Sequence, residues 1–208
     1  MSIAATAGNR DFVFRRLHTL SGVIPVGLFL VEHLFTNATA TLGPKAYDNA
    51  VGFLQHIPFL HFIEFLFIFV PLIYHGVFGL YVAYTSGYNA RQYTWLRNRL
   101  FVLQRVTGVI TFVFIIYHLS TTRFSGNEPS FQYVHTLLQS PFNFWFMVIG
   151  VVAATFHFSN GLWSFMVHWG FTVGPRAQRV AGIAMLVLFV ILAGMGIDSL
   201  IAFVSSPV

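Results

Sequence analysis

Five apolar stretches, each long enough to cross a lipid bilayer, constrain this chain more than anything else in it. A helix needs roughly 20 apolar residues to span the hydrocarbon core. The stretches run at about 17–39, 58–85, 101–122, 142–169 and 180–204. Lipid cannot satisfy open backbone N–H and C=O groups, so each must close as a helix. Pro25 and Pro71 fall inside spans and predict local kinks. Composition agrees: only 8% of the 208 residues are charged and the mean hydropathy is +0.72, whereas soluble domains carry about a quarter charged residues. The expected fold is an all-α integral membrane protein of five transmembrane helices, one domain over 1–208, with no soluble domain outside the bundle.

The net charge of +5 would suggest nucleic acid in a soluble protein. Here the basic residues stand between spans and read as topology determinants. Arg10, Arg15 and Arg16 precede the first span, Arg91, Arg97, Arg99 and Arg105 lie around the second connection, and Arg176 and Arg179 lie in the fourth. The other two connections hold only Lys45 and Arg123. This predicts a cytoplasmic N-terminus and an outer C-terminus. The first apolar run has no persuasive small-x-small cleavage site and is expected to be a retained span rather than a signal peptide.

Four of the spans contain a histidine: His33, His75, His118 and His157. Ionisable groups at membrane depth usually mark function, and neutral imidazole is a metal ligand that a bilayer tolerates. Depth sorts the four into pairs. His33 and His118 lie within about ten residues of the outer ends of their spans, whereas His75 and His157 lie about 16 or 17 beyond Pro58 and Pro141. At 1.5 Å per residue this places the pairs on the order of 10 to 15 Å apart along the membrane normal. Cysteine is absent, which removes thiolate ligation, iron–sulfur clusters and covalent attachment through C-x-x-C-H. Tetrahedral zinc needs its ligands to converge at one point, and these divide by depth. A single membrane histidine is more often a packing residue or proton relay; four at paired depths point to two bis-histidine haems b held by a four-helix bundle.

Glycines support this placement. Gly79 and Gly161 stand one turn from His75 and His157, and Gly22 and Gly108 lie three turns inward from His33 and His118. Each would remove a side chain where a macrocycle edge presses on a helix, although helix packing alone also selects small residues. A weak repeat runs through these positions: Ser21-Gly22-Val23-Ile24 before His33-Leu34, and Thr107-Gly108-Val109-Ile110 before His118-Leu119. His18 lies beside Arg15 and Arg16 at the inner interface, where a propionate or a partner subunit would be met. His56, His61, His135 and His168 read as headgroup-level residues. Among the acids, Glu64 precedes His75 by eleven residues and falls on nearly the same face at 100° per residue, so it is a candidate for proton exchange with a quinone. Glu32 is a second candidate, and His56 is placed near the same outer region.

The runs Gly8-Asn9-Arg10, Phe14-Arg15-Arg16-Leu17-His18, Ser21-Gly22-Val23-Ile24-Pro25-Val26-Gly27, Pro71-Leu72-Ile73-Tyr74-His75, Leu103-Gln104-Arg105-Val106-Thr107-Gly108 and Phe156-His157-Phe158-Ser159-Asn160-Gly161-Leu162-Trp163-Ser164-Phe165 resemble the dihaem cytochrome b anchors of succinate dehydrogenase, in the single-anchor form of Bacillus-type bacteria. The resemblance spans nearly the whole chain. It implies a complex II anchor in the bacterial cytoplasmic membrane, partnered by a flavoprotein that oxidises succinate and an iron–sulfur subunit. It also implies His33 and His118 as axial ligands of the outer haem, His75 and His157 as those of the inner one, and menaquinone as acceptor near the outer haem. Arg15, Arg16, Arg97, Arg99, Arg105 and Arg176 become candidates for propionate contact or subunit docking. Related fumarate reductase anchors carry a proton-relay glutamate two residues before the ligand of span four; Thr155 stands there in this chain. Fumarate reduction, another respiratory cytochrome b and a haem-free anchor are the competing readings.

Overall fold

The computed structural model describes residues 3–206 and consists of helices and their connections, with no strand among the described residues. Five helical segments there are long and apolar enough to cross a membrane: Arg10–Leu42, Leu60–Thr85, Leu96–Thr121, Pro141–His168 and Pro175–Ser205. All five expected spans are present. Spans one, three and five start several residues earlier than their apolar cores, because the arginine-bearing ends stay helical beyond the hydrophobic stretch.

Span one is α1 (Ile3–Val23) followed by α2 (Pro25–Ala38) and a short 3-10 turn. The two helices part at Ile24, where Pro25 opens α2 at a first-turn position that tolerates its missing N–H. Span two begins with α4 (Leu60–Glu64), passes through a π turn at Phe65–Phe69, and continues as α5 (Val70–Thr85). Pro71 donates no hydrogen bond to the preceding turn, and the π turn lies just before it. Regular α-helix is therefore interrupted just before both prolines. Spans three to five are α6 (Leu96–Thr121), α8 (Pro141–His168) and α9 (Pro175–Ser205).

Helices α1, α5, α6 and α8 form a ring: α1 packs on α5 and α8, and α6 packs on α8 and α5. These belong to the four histidine-bearing spans. The fifth, α9, lies outside the ring against α8 and α2.

The connections between spans contain two further helices. One is α3 (Pro44–Gln55), opened by Gly43 at φ 103°, a value that suits glycine, and by Pro44. The other is α7 (Phe131–Leu138), whose first N–H groups are satisfied by Asp48 Oδ1 on α3 (2.7 Å) and by Ser130 Oγ (3.2 Å). Tyr47 of α3, Phe131 and Leu138 of α7, and Phe203 of α9 meet with Ala40, Phe114 and Met147 in the main cluster of buried apolar side chains. His135 joins this cap through Nδ1 and Phe203 O, 2.7 Å apart. Burial, with a smaller contribution from Asp48, pushes the Tyr47 phenol up to about 12, so it stays neutral at physiological pH.

The best-packed apolar core is thus a cap at one end of the bundle, the end that the arginine distribution predicts to be outer, not the middle of the bundle. Helix α5 has no fully buried residue. The buried polar positions on α6 and α8 are Thr107, Thr155 and Ser159, the last two on the face of α8 turned away from His157.

Candidate functional site

The four span histidines meet in two diagonal pairs across the ring. His33 on α2 faces His118 on α6, with ring centroids 5.8 Å apart and planes at 73°. His75 on α5 faces His157 on α8, with centroids 6.0 Å apart and planes at 78°. A separation near 6 Å leaves room for one metal ion bound at roughly 2 Å by a nitrogen of each ring. No group of three or more histidines and carboxylates converges among the described residues, so the arrangement offers two-ligand sites only. Both pairings match those expected from depth.

The level of the inner pair is marked by Gly22 and Gly108. A Cβ on Gly108 would stand 2.9 Å from His157 Cε1, and one on Gly22 would stand 2.5 Å from His75 Nδ1. Counted along the helices from these glycines to His33 and His118, the two pairs lie about 15 Å apart at 1.5 Å rise per residue. That is the upper end of the expected range.

Each inner imidazole is hydrogen-bonded to a main-chain carbonyl of a neighbouring helix. His75 Nδ1 lies 2.9 Å from His18 O, and His157 Nδ1 lies 3.0 Å from Gln104 O. A carbonyl only accepts, so both Nδ1 atoms carry the proton, and each Nε2 is left with a free lone pair. This is the tautomer that a metal-bound imidazole needs, with the other nitrogen held by an acceptor. The outer pair is built differently: His118 Nδ1 is buried with no partner, while His33 Nε2 has the Asn37 amide 3.4 Å away.

The glycines lie at the level of the inner pair, as expected, but face side chains of the neighbouring helices. Gly22 and Gly108 lie against the His75 and His157 imidazoles, while Gly79 and Gly161 make room for His18 Nε2 and Gln104 Nε2, each 3.1 Å from the Cβ that alanine would add. They clear space for the imidazoles and for the groups behind them rather than for a macrocycle edge alone.

His18 is not a plain interfacial residue. Its ring stacks on His75 at 4.2 Å and 3°, and its Nε2 is buried without a partner. Gln104 and Asn160 escaped the sequence reading as site residues. Asn160 Nδ2 donates to Gln104 Oε1 (2.7 Å), and Gln104 Nε2 donates to His157 O (3.0 Å). The recurrence of the resemblance motifs at both positions was the available signal.

Buried polar atoms without a protein partner also include Arg105 Nε, Thr111 Oγ1 and Ser159 Oγ, all on α6 or α8. At the inner end Arg105 lies over Phe101 and donates to its carbonyl. Arg16 lies between Phe12 and Trp169, and Arg97 covers the Trp163 ring at 3.7 Å. Arg15 pairs with Asp11 at 2.8 Å. Three arginines of the basic face, Arg16, Arg97 and Arg105, thus lie over aromatic rings, and among the described residues only Arg15 of that face has an acidic partner.

At the outer end Arg123 pairs with Glu64 at 2.7 Å, joining spans two and three. The π turn between Glu64 and His75 takes an extra residue per turn, so the 100° count that put both on one face fails. Glu32 accepts from Thr36 (2.6 Å), and His56 Nδ1 bonds Gly52 O (2.6 Å). These three candidates are satisfied separately, and no contact joins Glu32 or His56 to Glu64. Thr155 is fully buried and bonds Val151 O.

Residues 87–196 match the family described as "Succinate dehydrogenase/Fumarate reductase transmembrane subunit". The "Succinate dehydrogenase cytochrome b558 subunit" of Bacillus subtilis (strain 168) is 49% identical over 201 residues, covering 95% of this chain and all of that relative. By both measures this chain belongs to the transmembrane-subunit family of succinate dehydrogenase and fumarate reductase.

Proposed function

We propose that this chain is the membrane anchor and electron-transfer subunit of a succinate:menaquinone oxidoreductase in a bacterial cytoplasmic membrane, holding two haems b. The observation that carries this reading is the pair of diagonal imidazole couples with Nδ1 tied back on the inner ligands, at a depth separation of about 15 Å. His33 and His118 hold the outer haem, and His75 and His157 the inner one. Buried polar atoms without a partner on the histidine-bearing spans, among them His118 Nδ1, Thr111 Oγ1 and Arg105 Nε, and the lack of any fully buried residue on α5 fit flat prosthetic groups better than a side-chain core. Bound there, haem supplies reversible one-electron chemistry, while the protein sets its potential through ligands, burial and neighbouring groups.

The chain's own contributions are separable. Arg105 and Arg16, with His18 near them, lie at the inner end, where propionates would need cations. Arg15, Arg97, Arg99 and Arg176 present positive charge for the iron–sulfur and flavoprotein subunits. The arginine distribution supports this face as cytoplasmic, with the C-terminus outside. Succinate itself is oxidised in the partner flavoprotein.

The quinone is assigned to the outer side, by the outer haem, in the region of the Glu64–Arg123 pair, with His56 and Glu32 as further candidates on the same side. An ion pair near the outer membrane boundary offers both a carboxylate for proton exchange and a cation for a reduced quinone oxygen. A quinone analogue added to the purified complex should shift the spectrum and midpoint potential of the outer haem. If it shifts only the inner haem, the site belongs on the cytoplasmic side.

A further inference from the structure

The two halves of the inner pair are backed by the same device, and its second copy involves residues with no assigned role. In a helix, carbonyl i accepts from N–H i+4 and keeps a second lone pair. The side chain at i+4 ordinarily crowds the approach to it. Glycine at i+4 opens that approach, and this spacing occurs twice: His18 with Gly22, and Gln104 with Gly108. In both cases the imidazole Nδ1–H of the adjacent helix enters the opening, at 2.9 Å and 3.0 Å. In both cases a Cβ at the glycine would collide with that imidazole.

The side chain at position i then backs the same ligand. In the first copy the His18 ring stacks on His75. In the second the Gln104 amide is fixed at both ends, accepting from Asn160 Nδ2 and donating to His157 O. Gln104 Nε2 also lies 3.2 Å from His157 Nδ1, but both atoms carry protons in the ligating tautomer, so that contact is not a bond. Gly161 leaves the space in which the amide turns. The outer pair has no equivalent: its imidazoles are not bonded to a carbonyl of another helix, and His118 Nδ1 is unpartnered.

We propose that Gln104, opened to its ligand by Gly108 and held by Asn160, is a positioning residue that sets the plane and tautomer of His157, as His18 with Gly22 does for His75. This rests on the reading of His75 and His157 as ligands of the inner haem. The bond from His157 Nδ1 to the Gln104 main-chain carbonyl fixes tautomer and ligand basicity, and loss of such a bond typically costs about 10–100-fold in metal affinity or activity. Gly108→Ala blocks it, whereas Gln104→Leu keeps it and removes only the amide that holds the ring's plane by tying Gln104 to His157 O. The near-perpendicular planes of the pair, at 78°, would otherwise be free to rotate.

The test uses the purified complex carrying Gln104→Leu, Asn160→Leu or Gly108→Ala, studied by low-temperature EPR of the ferric haems and by redox titration. The inner haem is identified as the one whose signal vanishes in His157→Leu. The expected result is a shift in g-value and midpoint potential, or a loss of cofactor, confined to the inner haem, with the outer haem unmoved. Where Gly108→Ala fails to assemble, Gln104→Leu decides, since it keeps the side-chain bulk and the backbone. Unchanged signals of both haems in Gln104→Leu, or equal shifts of both, overturn the proposal. A His157→Leu complex that retains both haems overturns the ligand assignment beneath it, a separate and distinguishable failure.

Discussion

A complex carrying His157→Leu should lose the inner haem, falling from two haems per chain to one, and most of it should fail to assemble. Leucine offers no lone pair to the metal, and removing so large a group from the ring leaves a hole that Gly108, which has no side chain, cannot help to fill. Even the cavity from a buried Leu→Ala change costs about 2.7–5 kcal/mol. His75→Leu should behave the same way, because the two rings face each other across one site. His18→Gln is the informative contrast. His18 stacks on His75 closely enough to be mistaken for a ligand, yet its main-chain carbonyl does the anchoring, so that variant should retain both haems. Reduced-minus-oxidised spectra and haem content check each variant, and a normal two-haem spectrum in His75→Leu or His157→Leu would end the assignment.

The second large effect concerns energy. With the electron donor docked on the arginine-rich face and quinone on the other, electrons move towards the positive side of the membrane. Each charge crossing fully gains about 2.3 kcal/mol per 100 mV. Two electrons gain up to roughly 4.6 kcal/mol, which is about a thousandfold in an equilibrium constant. That contribution helps reduce menaquinone, a poor acceptor from succinate on potential alone. Succinate oxidation by menaquinone in sealed vesicles should slow when an uncoupler collapses the potential, and fumarate reduction by menaquinol should accelerate. Equal rates in energised and uncoupled membranes, with transfer shown to be limiting, would mean that proton movement compensates the charge.

Much of this architecture is legible in the amino-acid order because bilayer thickness fixes helix length and because 1.5 Å per residue converts position into depth. His33 meets His118 and His75 meets His157 for that reason alone. Azimuth was less accessible. The π turn after Glu64 changes the angular count between that acid and His75, and no periodicity in the apolar run Phe65–Phe69 announces it. The outer cap was hidden for a different reason: α3 and α7 are short helices stabilised by Asp48, Tyr47, Phe131 and Phe203 contacts between distant parts of the chain. Glycine patterns pointed to the right places, yet whether a missing Cβ admits a macrocycle, an imidazole or an amide depends on what the facing helix presents. Gly161 beside Gln104 is the clearest instance. Side-chain partners such as Asn160 and Gln104 are more than fifty residues apart, and nothing local links them.

Counting haem directly bears most closely on the central claim that four histidines in two diagonal pairs hold two haems. In the purified complex, a pyridine haemochrome assay set against the amount of this chain should give two haems b per chain. A value of one or none in fully assembled, active complex would contradict the paired-site account.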